Sequence, residues 1–64
     1  MKDTRMVEIE FEDGYKEQEM WSTFSIGWKK RDAAALKRIV SGETVAMSIL
    51  GWDIMMVRMI DADE

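Results

Sequence analysis

Residues 6–15 read MVEIEFEDGY, and this stretch decides the fold. Glutamates alternate with three apolar side chains, those of Val7, Ile9 and Phe11. A period of two residues is typical of a β-strand that has one face in water. The strand ends at Asp13-Gly14, a dipeptide that suits the positive φ angles of a type I′ turn. The stretch therefore predicts a β-hairpin with a two-residue loop.

The second strand of this hairpin is predicted to begin near Tyr15 and to run to about Trp21. The alternation of apolar residues allows the strand to continue through Phe24 and Ile26.

The sequence changes character after Asp32, where AAALKR, six good helix formers, begins. Asp32 is suited to capping the first turn of a helix. One helix is predicted from here to Gly51, a glycine suited to end it. Its apolar stripe comprises Leu36, Ile39, Val40, Met47 and Leu50. A kink or a split into two helices at Gly42 is the alternative.

The last element, from Trp52 to Ile60, is apolar on both faces apart from Asp53 and Arg58, as expected of an inner strand. The fold predicted is a small two-layer α+β domain of order β-β-α-β. A right-handed crossover gives a mostly antiparallel three-stranded sheet in the order 2-1-3, with the helix on one face. The other face of the last strand then needs a cover. A second copy or a host protein could supply it, as could the segment containing Trp21, Phe24, Ile26 and Trp28.

The composition, with 47% hydrophobic and 34% charged residues, is that of a globular chain. The 64 residues predict a single domain, 1–64, with short flexible termini at about 1–4 and 61–64. No apolar run is long enough to span a bilayer and no signal-peptide pattern is visible, so we expect a cytoplasmic protein without membrane contact.

Histidine and cysteine are both absent, which removes the usual general base and the common nucleophile pairs. We therefore expect no enzymatic activity, no catalytic residue and no cofactor. The acidic tail offers oxygen ligands at Asp61, Asp63 and Glu64, but it lacks the spaced ligands and glycine of a calcium-binding loop. No metal site is predicted.

The acidic hairpin is the first candidate binding surface. A two-residue loop would pair Glu12 with Tyr15, Glu10 with Glu17 and Glu8 with Glu19. This pairing would gather five glutamates and a tyrosine in a cluster on one face, with like charges opposite each other. The candidate partner-binding residues are Glu8, Glu10, Glu12, Tyr15, Glu17 and Glu19. A solvated face that only keeps the protein soluble is the alternative. A register shifted by one residue would break the cluster apart.

The second candidate surface is basic and lies around the start of the helix. Three cations at a helix N-terminus attract an anion, and an aromatic ring beside them can stack on a base. The candidate anion-binding or nucleic-acid-binding residues are Trp28, Lys29, Lys30, Arg31, Lys37 and Arg38. A solvated loop whose bases pair with acidic groups is the alternative.

The net charge of −4 weighs against a generic nucleic-acid binder. The function predicted is that of a small acidic protein-binding module. Such a module would modulate or inhibit a larger protein with a basic surface, for which a nucleic-acid-processing protein is one candidate. The size and composition of the chain suit a bacterial or bacteriophage accessory protein. The alternative is a homodimer that binds nucleic acid or another anion through residues 28–38.

Overall fold

A computed structural model of the chain describes residues 4–51 and 54–60. Its elements are β1 (Met6–Phe11), β2 (Lys16–Met20), α1 (Trp21–Trp28), α2 (Ala33–Val40), β3 (Val45–Ser48) and β4 (Ile54–Ile60). The strands form one antiparallel sheet in the order β2-β1-β4-β3. The α+β class is confirmed, but the described residues form four strands and two helices where three strands and one helix were predicted.

The predicted neighbour relation between the first and last strands is confirmed. β4 pairs with β1 over six residue pairs, from Met6 opposite Ile60 to Phe11 opposite Met55. These two inner strands hold the sheet together, and β2 and β3 form its edges. The predicted start of the last strand at Trp52 and Asp53 lies outside the described residues, as do the predicted flexible termini apart from Thr4.

The core lies between one face of the sheet and both helices. Val7, Ile39 and Val57 are its fully buried side chains, one each from β1, α2 and β4. Alternate residues of each inner strand point into it, as the two-residue period of a strand requires. From α1, Trp21 and Phe24 complete the same cluster. α2 covers the inward face of β3 and β4, and α1 covers that of β1 and β2, so the segment from Trp21 to Trp28 does not cover the other face of β4 as one of the alternatives proposed.

The prediction that β2 continues through Phe24 and Ile26 is wrong, because a helix begins at Trp21. Trp21, Phe24 and the half-buried Trp28 are spaced three and four residues apart, so a helix turns all three rings to one side. Ile26, which a strand would have placed with Phe24, is 76% exposed. β2 is followed directly by α1, with no loop between them. The N–H of Trp21, the first residue of α1, donates to the carbonyl of Arg5 at 2.9 Å, so the hydrogen bonding of the strand pair continues into the helix.

The prediction of one helix to Gly51 is also wrong. The Asp32 cap is confirmed, with its carboxylate accepting from the N–H of Ala35 at 3.1 Å. The helix ends at Val40, however, because Gly42 adopts a φ of +103° and reverses the chain. The N–H groups of Gly42 and Glu43 donate to the carbonyls of Ile39 and Arg38, the paired bonds of a Schellman motif.

The residues beyond this cap form the edge strand β3 instead of a continued helix. Val45 and Met47 point into the core, and Ala46 and Ser48 point away from it. Both apolar residues of β3 thus reach the core with strand periodicity.

No helix in residues 4–51 and 54–60 has the length and apolar character needed to cross a bilayer.

Candidate functional site

The hairpin loop contains three residues, so the predicted two-residue loop is wrong. The N–H of Phe11 donates to the carbonyl of Tyr15 at 2.8 Å, and the N–H of Gly14 donates to the carbonyl of Phe11 at 2.9 Å. Gly14 has a φ of +91°, which is the bulge conformation that closes three-residue loops. The carboxylate of Asp13 accepts from the N–H of Tyr15 at 3.0 Å, a hydrogen bond within the loop that stabilises its conformation.

This loop shifts the register of β2 by one residue and divides the predicted glutamate cluster. Glu17 lies opposite Ile9 and Glu19 opposite Val7, so both glutamates lie on the side of the sheet that carries the helices. Glu8 and Glu10 lie on the other side, opposite Gln18 and Lys16. The prediction of five glutamates and a tyrosine on one face is therefore wrong, and no two glutamates lie directly opposite each other between β1 and β2.

The sheet face away from the helices is mixed in character and is centred on an ion pair. Arg58 donates to Glu8 with N–O distances of 2.9 and 3.0 Å. Met20, Ile54 and Met56 flank this pair as exposed apolar side chains. Arg58 was not among the predicted functional residues, although a single base in an otherwise apolar strand is a signal of an ion pair on the exposed face.

The far end of the hairpin carries a groove of about 380 Å³. Its lining residues are Phe11, Glu12, Asp13, Tyr15, Glu17 and Ile54, and we call it the tip groove. The rings of Phe11 and Tyr15 stack with centroids 5.8 Å apart, and Tyr15 stays 58% exposed. The tip groove therefore brings together three of the predicted partner-binding residues, Glu12, Tyr15 and Glu17. Its other three lining residues were not in the prediction.

The predicted basic residues occupy two neighbouring parts of the chain. Lys29, Lys30 and Arg31 lie between the helices, whereas Lys37 and Arg38 lie in the last turn of α2. Four helical residues, 33–36, lie between the two groups, which corresponds to a rise of about 6 Å along the helix axis.

Two local contacts also occupy members of this basic set. Trp28 is half-buried, and its ring packs against that of Phe24 with the ring centroids 6.0 Å apart. Arg38 donates to Glu43 at 3.0 Å. At the start of α2 the carboxylate of Asp32 already accepts from the N–H of Ala35, the position that an incoming anion would take.

A second groove, of about 290 Å³, lies beside the helices and is lined by Trp21, Leu36, Lys37 and Val40. The guanidinium of Arg5 lies 5.7 Å from the ring centre of Trp21. This groove is apolar apart from Lys37, and it contains none of the predicted acidic residues.

Within the part of the chain that the structure describes, no three acidic side chains are arranged to hold a metal ion. Comparison of the chain with protein-family models, with curated proteins and with solved structures found no match.

Proposed function

We propose that the chain is a small protein-binding module that docks onto a basic surface of a larger protein. The docking element is residues 8–19, which we call the acidic hairpin. It carries six acidic residues and one base, Lys16. The observation that carries the proposal is that the side-chain carboxylates of four of these acids make no ion pair or hydrogen bond among the described residues, namely those of Glu10, Glu12, Glu17 and Glu19.

The position of the acidic hairpin supports this role. β2 is an edge strand, and the glutamates of the hairpin project on both sides of the sheet. Such a surface attracts a basic partner over a distance of about 8–10 Å at physiological salt, which accelerates association. A module that occupies such a surface also blocks other ligands of that surface, so it acts as a modulator or inhibitor.

The test is affinity capture with three baits, the wild type, Glu17→Lys and Glu43→Lys. Both variants change the net charge equally, but Glu43 lies at the end of α2, away from the acidic hairpin. We expect one protein to bind the wild type and Glu43→Lys and to bind Glu17→Lys about three- to tenfold more weakly. Raising the salt concentration should weaken wild-type binding steeply.

Two results contradict the proposal. One is a partner that binds Glu17→Lys and the wild type equally at every salt concentration. The other is specific capture of nucleic acid that is lost on replacing Lys30 and Arg31 by alanine, which would place the function at the basic segment instead.

A further inference from the structure

We propose that the tip groove is a receptor for one arginine side chain of the partner protein. This inference rests on the proposed function, because it requires a basic partner, and it adds the residue type that the acidic hairpin selects. The tip groove combines an apolar, aromatic lining with carboxylates at its rim, and each part selects a different property of the occupant.

The aromatic lining is held in place before any partner binds. Phe11, the last residue of β1, packs against the core, and its ring stacks against one face of the Tyr15 ring. The backbone bond from Phe11 to Tyr15 and the Asp13 side-chain bond fix the loop on both sides of the tyrosine. Because the ring is already positioned, a planar cation can stack on it without ordering the loop first.

The charge of the rim requires a cationic occupant. Three carboxylates line the tip groove, those of Glu12, Asp13 and Glu17, and no base lines it. The carboxylates of Glu12 and Glu17 make no ion pair or hydrogen bond among the described residues. A cation that enters the groove therefore meets carboxylates that do not first have to break an internal contact.

Other acids of the chain already have internal partners. Glu8 pairs with Arg58, Glu43 pairs with Arg38, and the carboxylate of Asp32 caps α2. The two ion pairs, Arg58 with Glu8 and Arg38 with Glu43, have the same geometry. In each, the Nε and one terminal nitrogen of the arginine lie within 3.0 Å of the same carboxylate oxygen.

The apolar lining favours arginine over lysine. A guanidinium is planar and weakly hydrated, so it can stack on Tyr15 while its edge donates to two carboxylates. An ammonium group is compact and strongly hydrated. The apolar surface of Phe11 and Ile54 would displace water from it and would offer no hydrogen-bond acceptor in exchange. The volume of about 380 Å³ lies at the lower end of the range for small-ligand pockets, which suits one side chain.

The test is an NMR titration of the isotopically labelled protein with three capped tripeptides, Gly-Arg-Gly, Gly-Lys-Gly and Gly-citrulline-Gly. Citrulline keeps the shape of arginine and removes its charge. We expect the arginine peptide to shift the amide signals of residues 11–17 and to bind at least about fivefold more tightly than the lysine peptide. The citrulline peptide should give no saturable shift.

Variants assign the binding to the tip groove. Tyr15→Leu and Glu17→Gln should each weaken arginine binding about three- to tenfold. Tyr15→Phe keeps the ring and should bind as the wild type does. Glu43→Gln removes one charge elsewhere and should also leave binding unchanged. An unchanged pattern of amide signals outside the hairpin establishes that each variant is folded.

The inference is overturned if arginine and lysine peptides shift the same signals with equal affinity and Tyr15→Leu has no effect. That result would indicate a diffuse acidic field, and the proposed function would stand without the arginine site. The proposed function fails separately, if the Glu17→Lys and Glu43→Lys baits capture the same partner equally.

Discussion

Replacing Ile39 and replacing Val40 by alanine should have very different effects, although the two residues are neighbours in α2. Ile39 is fully buried between the helices and the sheet, whereas Val40 is 50% exposed beside Lys37. The apolar stripe of a single long helix had placed both residues on the buried side. The pair therefore tests the orientation of α2, on which the whole core depends.

The magnitude follows from burial. Ile39→Ala removes three carbon groups from a fully buried position, which costs about 2.4 kcal/mol of transfer free energy at about 0.8 kcal/mol each. The cavity left behind brings the total to about 2–5 kcal/mol. A domain of this length has a free energy of unfolding of about 3–10 kcal/mol, so Ile39→Ala should remove a large part of it. Val40→Ala should change it by less than about 0.5 kcal/mol.

The assay is urea unfolding of each variant, followed by tryptophan fluorescence and by far-ultraviolet circular dichroism. Ile39→Val, which should cost about 0.5–1.5 kcal/mol, provides the measurement if Ile39→Ala does not fold. Equal losses from Ile39→Ala and Val40→Ala would refute the orientation of α2. A loss from Val40→Ala that grows with protein concentration would show instead that a second copy covers Val40.

Three further predictions concern the free energy of unfolding, again measured with urea. Gly42→Ala should lower the free energy of unfolding by about 1–2 kcal/mol, because alanine is strained at a φ of +103°. Gly27→Ala should raise it by up to about 1 kcal/mol, because Gly27 lies inside α1 and there is open space where the new Cβ would be. Equal effects at the two glycines would argue against the helix end at Val40. Asp32→Ala should cost about 1 kcal/mol and Asp32→Asn much less, so an equal cost for both would mean that the side chain does not cap α2. A double-mutant cycle of Glu8→Gln and Arg58→Gln should give a coupling of about 0.5–1 kcal/mol that falls in 1 M salt, and zero coupling at low salt would show that the pair is not formed.

Local patterns predicted several parts of the fold correctly. The alternation in β1 identified Val7 and Ile9 as inward residues, and both are buried. Asp32 was recognised as a helix cap from its position alone. The last strand was predicted beside β1, and β4 does lie there, although the helices lead from β2 to the edge strand β3 and not by a crossover to β4. These predictions depended on one element or on a general rule of chain geometry.

The candidate site could be predicted only in part, because its geometry depends on one residue of register. Asp13-Gly14 is compatible with a two-residue and with a three-residue loop, since Gly14 has a positive φ in both. The longer loop places Glu10 opposite Lys16 instead of Glu17, and it avoids directly opposed glutamates. This choice depends on contacts between strands, and no pattern within one strand reveals it.

Local sequence was enough to show that the chain turns at Asp13-Gly14, which residues of β1 enter the core and where most of the acidic charge lies, because these properties depend on a few neighbouring residues. The tertiary structure decided that residues 21–28 form a helix and that residues 45–48 form a strand. Both segments are short and apolar enough for either conformation, and the need to cover one face of β1 and β4 selects between them. It also brought Phe11, Tyr15 and three carboxylates together at the tip groove, because their contacts depend on how the strands meet.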